Sequence, residues 1–246
     1  MQRHPFFALI SGKKRYSVKP DQLVLVTHKK TVKIVVNVYI CSLKYFQLDK
    51  EVIIDRVTEI LKETPASMQI VKKGGNRDAR FHYLARHMVN KAIDKDALVL
   101  SSNEMGIAIV LRNSNSKTSF IKEMTENIKL VLNVTGFKNV STILKNQKYI
   151  KNQRPKDQDY LYCWFWGISK DARGADTQVG KEMKDEFLRR AHKYNLPLYA
   201  ETQTRRNTIV YQKFGFDLFH TWNRPDGKTM YFMKYDPTKH EDKYNK

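Results

Sequence analysis

The run YLYCWFWGI, at positions 160–168, restricts the fold of this chain more than any other segment. It contains no charged residue, and aromatic side chains occupy both sets of alternating positions. A strand without a polar face has to be covered on both faces, as a central strand is in a sheet that helices flank on each side. The sequence therefore predicts that residues 160–168 form a central strand.

Strand and helix patterns alternate on both sides of this run. Before it, the apolar periodicity predicts a strand over 32–40, an amphipathic helix from Asp49, a second helix around 81–92, a hairpin over 97–112, helical stretches over 120–131 and 140–150, and a polar linker over 151–159. After it, the pattern predicts a helix over 181–194, a strand in PLYAET, a short helix in NTIVYQKF and two strands joined by NRPDGK. This order is typical of an α/β (α+β) protein with a mixed sheet flanked by helices.

The chain carries 45 basic and 25 acidic residues, a net charge of +20. Such a charge favours anionic partners, which include nucleic acid, an anionic membrane surface and a polyphosphate cofactor. The lysines are spread along the whole chain, and the basic residues form no run of five or more. A solvated, lysine-rich surface is therefore the favoured interpretation, and a nucleic-acid partner is an alternative.

Three features of the sequence indicate a cytoplasmic protein without a membrane anchor. The apolar stretch FFALI near the N-terminus is shorter than the core of a secretory signal. The run VKIVVNVYICSL, interrupted by Lys33 and Asn37, falls short of the roughly 20 apolar residues that a membrane-spanning helix needs. Cys41 and Cys163 stand far apart in apolar surroundings, which predicts reduced thiols, with no disulfide framework and no metal site.

The length of 246 residues allows one well-buried domain. We expect a basic extension over residues 1–31, a single domain over 32–237 and a polar tail over 238–246. The protein is expected to act as a monomer or a homodimer.

Residues 160–237 contain linked pieces that together resemble the core of the GNAT superfamily of N-acetyltransferases. In order, they are the strand that ends in GIS (167–169), a loop that ends in VG (179–180), a helix, LPLYAET (196–202), RRN (205–207), VYQKFGF (210–216) and a hairpin that ends in MYFMKY (230–235). The pattern predicted for residues 32–112 also suits that fold. The resemblance implies a mixed, splayed sheet with a helical insertion before the central strand.

The resemblance also implies an activity. It implies an enzyme that uses acetyl-CoA and transfers the acetyl group to an acceptor amine, by direct attack of the amine on the thioester. Cys163 falls within the covered strand, so it is not expected to act as a nucleophile. The identity of the acceptor is not indicated, although a basic surface near the cleft would repel polyamines and suit acidic or neutral acceptors.

The family's sheet and phosphate loop imply a set of cofactor-binding residues. Main-chain groups of Gly167, Ile168 and Ser169 are expected to pair with the pantetheine arm where the sheet splays. The N–H groups of Val179 and Gly180, at the start of the next helix, are expected to face the pyrophosphate, because the positive end of a helix dipole favours anions.

The phosphate loop departs from the family's motif. Gln178 stands where the motif has its first glycine, and glutamine enters a positive φ at a higher cost than glycine does. The loop is therefore expected either to bend differently or to bind the cofactor weakly or not at all. Under one interpretation, Arg173 and Gly174 act as the arginine and glycine of the family's phosphate motif, and the loop follows a shifted path. Under the other interpretation, they form an ordinary turn.

Three further residues are candidates for the chemistry. Asn207 and Tyr211 stand four residues apart, on one helix face. The resemblance implies that Asn207 reaches toward the cofactor arm and that Tyr211 protonates the departing thiolate, for which a phenol with a free pKa of about 10 is suited. Alternatively, Tyr211 is a half-buried core residue. Glu201 either takes a proton from the acceptor ammonium or is a solvated charge at a strand end.

Two alternatives to an ordinary amine acetyltransferase stay open. The first is a module that keeps the fold without the chemistry and binds nucleic acid or another anionic partner, which the net charge and the altered phosphate loop both favour. The second is an enzyme whose acceptor belongs to a larger anionic body, such as a charged tRNA or a ribosomal protein.

Overall fold

The computed structural model describes residues 9–11, 14–16, 50–113, 130, 133–135, 140–174 and 178–240. The chain divides into two compact units, Met1–Leu48 and Asp49–Lys246. In the first unit, the described residues form the strands β1 (Leu9–Ser11) and β2 (Lys14–Tyr16), which pair antiparallel. The strand predicted over 32–40 lies outside the described residues, so the predicted domain boundary at residue 32 stays a prediction.

The second unit contains helices and strands close to those predicted. In chain order they are α1 (50–63), α2 (Pro65–Ile70), α3 (Arg77–Asp94), β3 (Leu98–Leu100), β4 (Gly106–Asn113), α4 (Val140–Asn152), β5 (Tyr160–Ile168), α5 (Val179–Tyr194), β6 (Leu198–Thr202), α6 (Arg205–Lys213), β7 (Asp217–Asn223) and β8 (Thr229–Tyr235). The helix predicted over 120–131 lies almost wholly outside the described residues. The sequence analysis missed α2, which begins at Pro65 in the first helical position, where proline is well tolerated.

The strands β3 to β8 of the described residues form one mixed sheet in the order β3-β4-β5-β6-β8-β7. Only β5 and β6 run parallel among these neighbours. The central position of β5 and the mixed, helix-flanked sheet confirm the predicted fold class, and α4 is the helical insertion before the central strand. Within the described residues, no helix combines the length and the apolar character that a membrane span requires.

Helices cover both faces of the sheet, which explains why residues 160–168 carry no charge. On one face, α1 and α3 pack on β4 and β5 through a buried core that includes Ile54, Val57, Phe81, Val89, Ile107, Ile109 and Phe165. On the other face, α5 and α6 pack on the sheet through a second core that includes Ala108, Leu161, Cys163, Met183, Phe187, Tyr211 and Met233.

A β-bulge interrupts β5 at Trp164. Two adjacent residues of β4, Ile109 and Val110, pair with Phe165 and Cys163. Trp164, between these two partners, is therefore the extra residue. A bulge of this kind bends its strand and reverses the alternation of side chains.

The parallel pairing between β5 and β6 ends at this bulge. Residues 161–163 of β5 pair with residues 198–200 of β6, and the pairing goes no further. Beyond that point Glu201 and Thr202 of β6 pair with β8 alone, while residues 165–168 of β5 stay paired with β4. We call the opening between residues 164–168 and residues 201–202 the wedge. It is the splay that the resemblance implied.

The close approach of α1 to β5 depends on Gly167. A Cβ atom at this position would lie 2.3 Å from Cγ2 of Ile60 on α1, a distance at which one of the two elements must shift. We therefore expect Gly167→Ala to lower the free energy of unfolding by about 1–3 kcal/mol, measured by chemical denaturation. The matched control is Gly180→Ala, whose new Cβ would have its nearest neighbour, Cδ1 of Ile168, at 3.6 Å.

A double-mutant cycle with Ile60→Ala tests the cause of this effect. The cost of Gly167→Ala should shrink in the Ile60→Ala background, because the clashing methyl group is then absent. Equal stability of the Gly167→Ala and Gly180→Ala proteins would show that this steric explanation is wrong.

Candidate active site

The wedge opens into a large cleft lined by both sheet and helix residues. Six of the predicted site residues line it: Gly167, Ile168, Arg173, Glu201, Asn207 and Tyr211. The remaining five, Ser169, Gly174, Gln178, Val179 and Gly180, lie in the loop after β5 and the first turn of α5. The fold thus brings the predicted residues to one end of the parallel strand pair, where ligands of open α/β sheets bind.

Tyr211 lies at the inner wall of the cleft and is 7 % exposed. Its ring packs at an angle against Trp166 and Phe216, with centroid distances of 5.8 and 5.0 Å. Burial raises the pKa of Tyr211 well above 10, and the neighbouring ionisable groups raise it further. The phenol is therefore protonated at neutral pH, so its place in the core and a role as proton donor are compatible.

Asn207 lies one helical turn before Tyr211 and also lines the cleft. Its side chain is exposed, and its Nδ2 donates a hydrogen bond of 3.4 Å to Oγ1 of Thr202 at the end of β6. This contact ties the first turn of α6 to the rim of the wedge.

Glu201 is buried, so the alternative of a solvated strand-end charge is wrong. Its side chain is 9 % exposed, and its Oε1 lies 3.6 Å from Nε of Arg154, whose side chain is 10 % exposed. Burial raises the pKa of Glu201, while the positive charge of Arg154 and a hydrogen-bonding interaction with Tyr162 partly counteract the rise. The guanidinium of Arg154 lies 3.7 Å from the centroid of the Tyr162 ring.

The two candidate chemical groups lie on opposite faces of the sheet. Leu198 and Ala200 of β6 belong to the core that also contains Tyr211. Because side chains alternate along a strand, Glu201 projects to the other face. The pKa of Tyr211 is raised chiefly by burial, and the nearby Cys163 and the Glu201 charge add to the rise. The wedge therefore joins a buried proton donor on one face to a buried carboxylate on the other.

The loop after β5 reaches α5 through left-handed backbone. Gln178 has φ 55° and ψ −7°, and its side chain does not cap the helix that it precedes. Gly174 has φ +152°. Arg173 donates a hydrogen bond of 2.9 Å from Nε to the carbonyl of Ile168 and forms an ion pair with Glu63. Gln178 thus adopts the positive φ that is costly for a glutamine, and its side chain does not cap the first-turn amides of α5.

The solved structures similar to this chain show which fold it has. One is the crystal structure of histone acetyltransferase HPA2 and related acetyltransferase from Corynebacterium glutamicum, with 17 % identity, a TM-score of 0.54, and coverage of 80 % of this chain and 94 % of that one. Another is the C-terminal condensation domain of Ebony in complex with beta-alanyl-dopamine, with 12 % identity, a TM-score of 0.50, and coverage of 76 % and 93 %. The chain has the GNAT fold. No protein-family model and no curated protein sequence matches it.

Sequence reasoning about the GNAT fold missed Arg154 and Tyr162. Arg154 lies in KNQRPKDQD, whose composition predicts a polar linker, and Tyr162 is one of several aromatic residues in β5. An arginine in a polar segment normally points to solvent. The burial of its guanidinium beside Glu201 depends on tertiary packing, because residues 155–159 separate it from β5 and no local pattern marks it.

The left-handed conformation of Gln178 leads to a stability prediction. Side chains other than glycine pay roughly 1–2 kcal/mol in this region, and part of the gain from glycine is lost to the entropy of the unfolded chain. We expect Gln178→Gly to raise the free energy of unfolding by about 0.5–1 kcal/mol, measured by chemical denaturation.

Asn195→Gly at the other end of α5 is the matched control for Gln178→Gly. Asn195 is also left-handed, with φ 51°, but asparagine tolerates this region, so the gain should be smaller. A Gln178→Gly protein that is less stable than the wild type would contradict the assignment of strain to position 178.

Proposed function

We propose that this protein is an acetyl-CoA-dependent N-acetyltransferase in which an acceptor amine attacks the thioester directly. The observation that carries the proposal is the wedge, with protonated Tyr211 on one side and buried Glu201 on the other. The Corynebacterium glutamicum protein of similar fold is described as an acetyltransferase, which supports the same activity here. A cytoplasmic location and a monomer or homodimer remain expectations from the sequence.

The residues around the wedge fit acetyl-CoA. Residues 167 and 168 of β5 have no partner in β6, so main-chain groups on that edge can pair with the pantetheine arm, and Arg173 gives up its hydrogen bond to the Ile168 carbonyl where the arm takes that group. Gln178 does not cap the first turn of α5, so the amides of Val179 and Gly180 can face the pyrophosphate. Packing does not require a glycine at position 180, where a Cβ would make only ordinary contacts, and close approach of a ligand would give this glycine a purpose.

The remaining predicted residues complete the proposed cofactor site. Ser169 continues the main chain beyond β5, and Asn207 presents its amide at the rim of the cleft. Arg173 and Gly174 are assigned to the phosphate loop, where Gly174, with its positive φ, turns the chain and Arg173 lines the cleft with a guanidinium that is ion-paired with Glu63.

Glu201 and Tyr211 have complementary roles in the proposed reaction. When bound, acetyl-CoA supplies an activated acetyl group, whose carbonyl carbon bonds to the acceptor nitrogen as the carbon–sulfur bond breaks. Glu201 takes the proton that the ammonium of the acceptor must lose before it attacks, and the second proton that the nitrogen loses as the amide forms passes to solvent. Tyr211 gives its phenolic proton to the departing sulfur, and exchange with solvent restores both groups. The raised pKa of Tyr211 keeps it protonated until the sulfur leaves.

Removal of the phenolic hydroxyl should impair turnover but not binding. General acid catalysis contributes roughly 10²–10⁴-fold to a rate, so we expect Tyr211→Phe to lower kcat by about that factor. Calorimetric affinity for acetyl-CoA should stay close to that of the wild type. Tyr194→Phe, which removes the hydroxyl of an exposed tyrosine on α5, is the control and should leave kcat unchanged. Equal kcat for Tyr211→Phe and wild type would remove the proton donor from the proposal.

The pH dependence of kcat/KM should report the buried carboxylate. A base must be ionised to act, and burial raises the pKa of Glu201 above its ordinary 4.5. The rate should therefore rise with pH along an acidic limb centred above pH 4.5. The Glu201→Gln protein should lack this acidic limb, and its rate should be lower by about 10²–10⁴-fold. The control is Glu59→Gln, which alters an exposed residue of α1 and should leave the limb and the rate unchanged. An unchanged limb in Glu201→Gln would assign the titration to another group.

Binding of acetyl-CoA is the first test of the proposed function. We expect calorimetry or thermal shift to detect binding, with Gln178→Gly at least as tight as the wild type, because glycine adopts the left-handed conformation without strain. A wild-type protein that ignores millimolar acetyl-CoA would overturn the proposal. Nucleic-acid binding that weakens steeply with salt would then favour the non-catalytic module.

A further inference from the structure

A buried guanidinium lies beside the carboxylate assigned as the base. The side chain of Arg154 is about nine-tenths buried and lines the cleft. Its Nε has no hydrogen-bond acceptor among the described residues, and Oε1 of Glu201, at 3.6 Å, is beyond hydrogen-bond distance. Buried donors in folded proteins are normally satisfied, so this group is arranged for an acceptor that the chain itself does not provide.

A second arginine that lines the cleft also has a buried donor without an acceptor among the described residues. Arg224 follows β7, its side chain is 13 % exposed, and its Nε is also buried without an acceptor among the described residues. Its terminal nitrogen pairs with Asp226 at 2.9 Å, and both residues line the cleft together with Lys228.

The helix before Arg154 packs on the hairpin that carries Arg224. Tyr149 of α4 stacks on Trp222 of β7 with a centroid distance of 4.1 Å. The hydroxyl of Tyr149 also hydrogen-bonds to Nε2 of His220 at 3.0 Å. These contacts bring both arginines to the face of the sheet on which Glu201 projects.

The charges at this end of the cleft are suited to a zwitterion. Glu201 offers a negative charge to an ammonium, and Arg154, 3.6 Å away, offers an unfilled donor and a positive charge to an anion. An α-amino acid carries its ammonium and carboxylate on one carbon, so both of its groups can reach this pair together. Charge-assisted hydrogen bonds of this kind are the strong ones, and the guanidinium fork matches a carboxylate in geometry.

We propose that the acceptor is an α-amino acid, whose ammonium binds Glu201 and whose carboxylate binds Arg154. This inference rests on the proposed function for the identity of the reaction, but the binding site itself does not depend on it. A polyamine, which has no carboxylate, would place its charges against Arg154 and Arg224 and is expected to bind poorly.

Binding and turnover of matched probe pairs test the inference. The probes are L-alanine, L-glutamate and L-phenylalanine, each with its α-amide, together with spermidine. The amine of the amide is less basic and is therefore uncharged to a larger fraction at neutral pH, so a preference for the free acid has to come from recognition of its carboxylate. We expect calorimetric affinity and kcat/KM to favour at least one acid over its amide by tenfold or more.

The Arg154→Gln protein should lose this preference, chiefly through a higher KM for the acid, while the rate with the amide stays similar. Arg154→Lys, which keeps the charge but not the fork, should retain part of the preference, and it replaces the glutamine variant if that variant fails to fold. Arg189→Gln, which alters an arginine of α5 paired with Glu186, is the control and should retain all of it.

The outcomes separate the two proposals. Acetylation of amides or spermidine at rates equal to or above those of every amino acid would overturn the amino-acid site and leave the acetyltransferase intact. Selective, Arg154-dependent binding of an amino acid by a protein that ignores acetyl-CoA would support the site and overturn the acetyltransferase.

Discussion

The separation of β5 from β6 is the constraint on which the described site depends. The two strands pair over three residues each, and the bulge at Trp164 then bends β5 away. Because β5 keeps its hydrogen bonds to β4 and β6 keeps its own to β8, the wedge opens without leaving a whole strand unpaired. A cleft through a continuous sheet would otherwise cost many buried, unpaired backbone groups.

Burial is the main cause of the raised pKa values of the two ionisable side chains at the wedge, Tyr211 and Glu201. Tyr211 is held in the core of one face, where removal from water keeps its phenol protonated. Glu201 is held on the other face, where the loss of hydration is only partly offset by Arg154. A buried ion pair of imperfect geometry contributes little to stability by itself, because its attraction barely repays the desolvation of two charges. We therefore interpret the Arg154–Glu201 pair as part of a binding site.

Several features could be predicted from residue patterns, for identifiable reasons. The uncharged run 160–168 required a strand covered on both faces, and β5 has that position. The spacing of Asn207 and Tyr211 required that they share a helix face, and both line the cleft. The sequence indicated that a positive φ would be costly at Gln178 but left open whether the loop would adopt it, and the structure has φ 55° there. These are local properties, since a strand or helix period acts over a few residues.

The sequence alone determined the central strand, the residues that approach its end and most of the helices and strands of the second unit, with α2 as an exception, because hydrophobic periodicity and turn residues act locally. Only the tertiary structure decided that Glu201 is buried and that Arg154, from a polar segment, lies beside it. Only the tertiary structure also showed that Trp164 is the bulged residue at which the wedge begins. These properties depend on the burial of contacts between segments that are far apart in the chain, and a local sequence pattern does not specify such contacts.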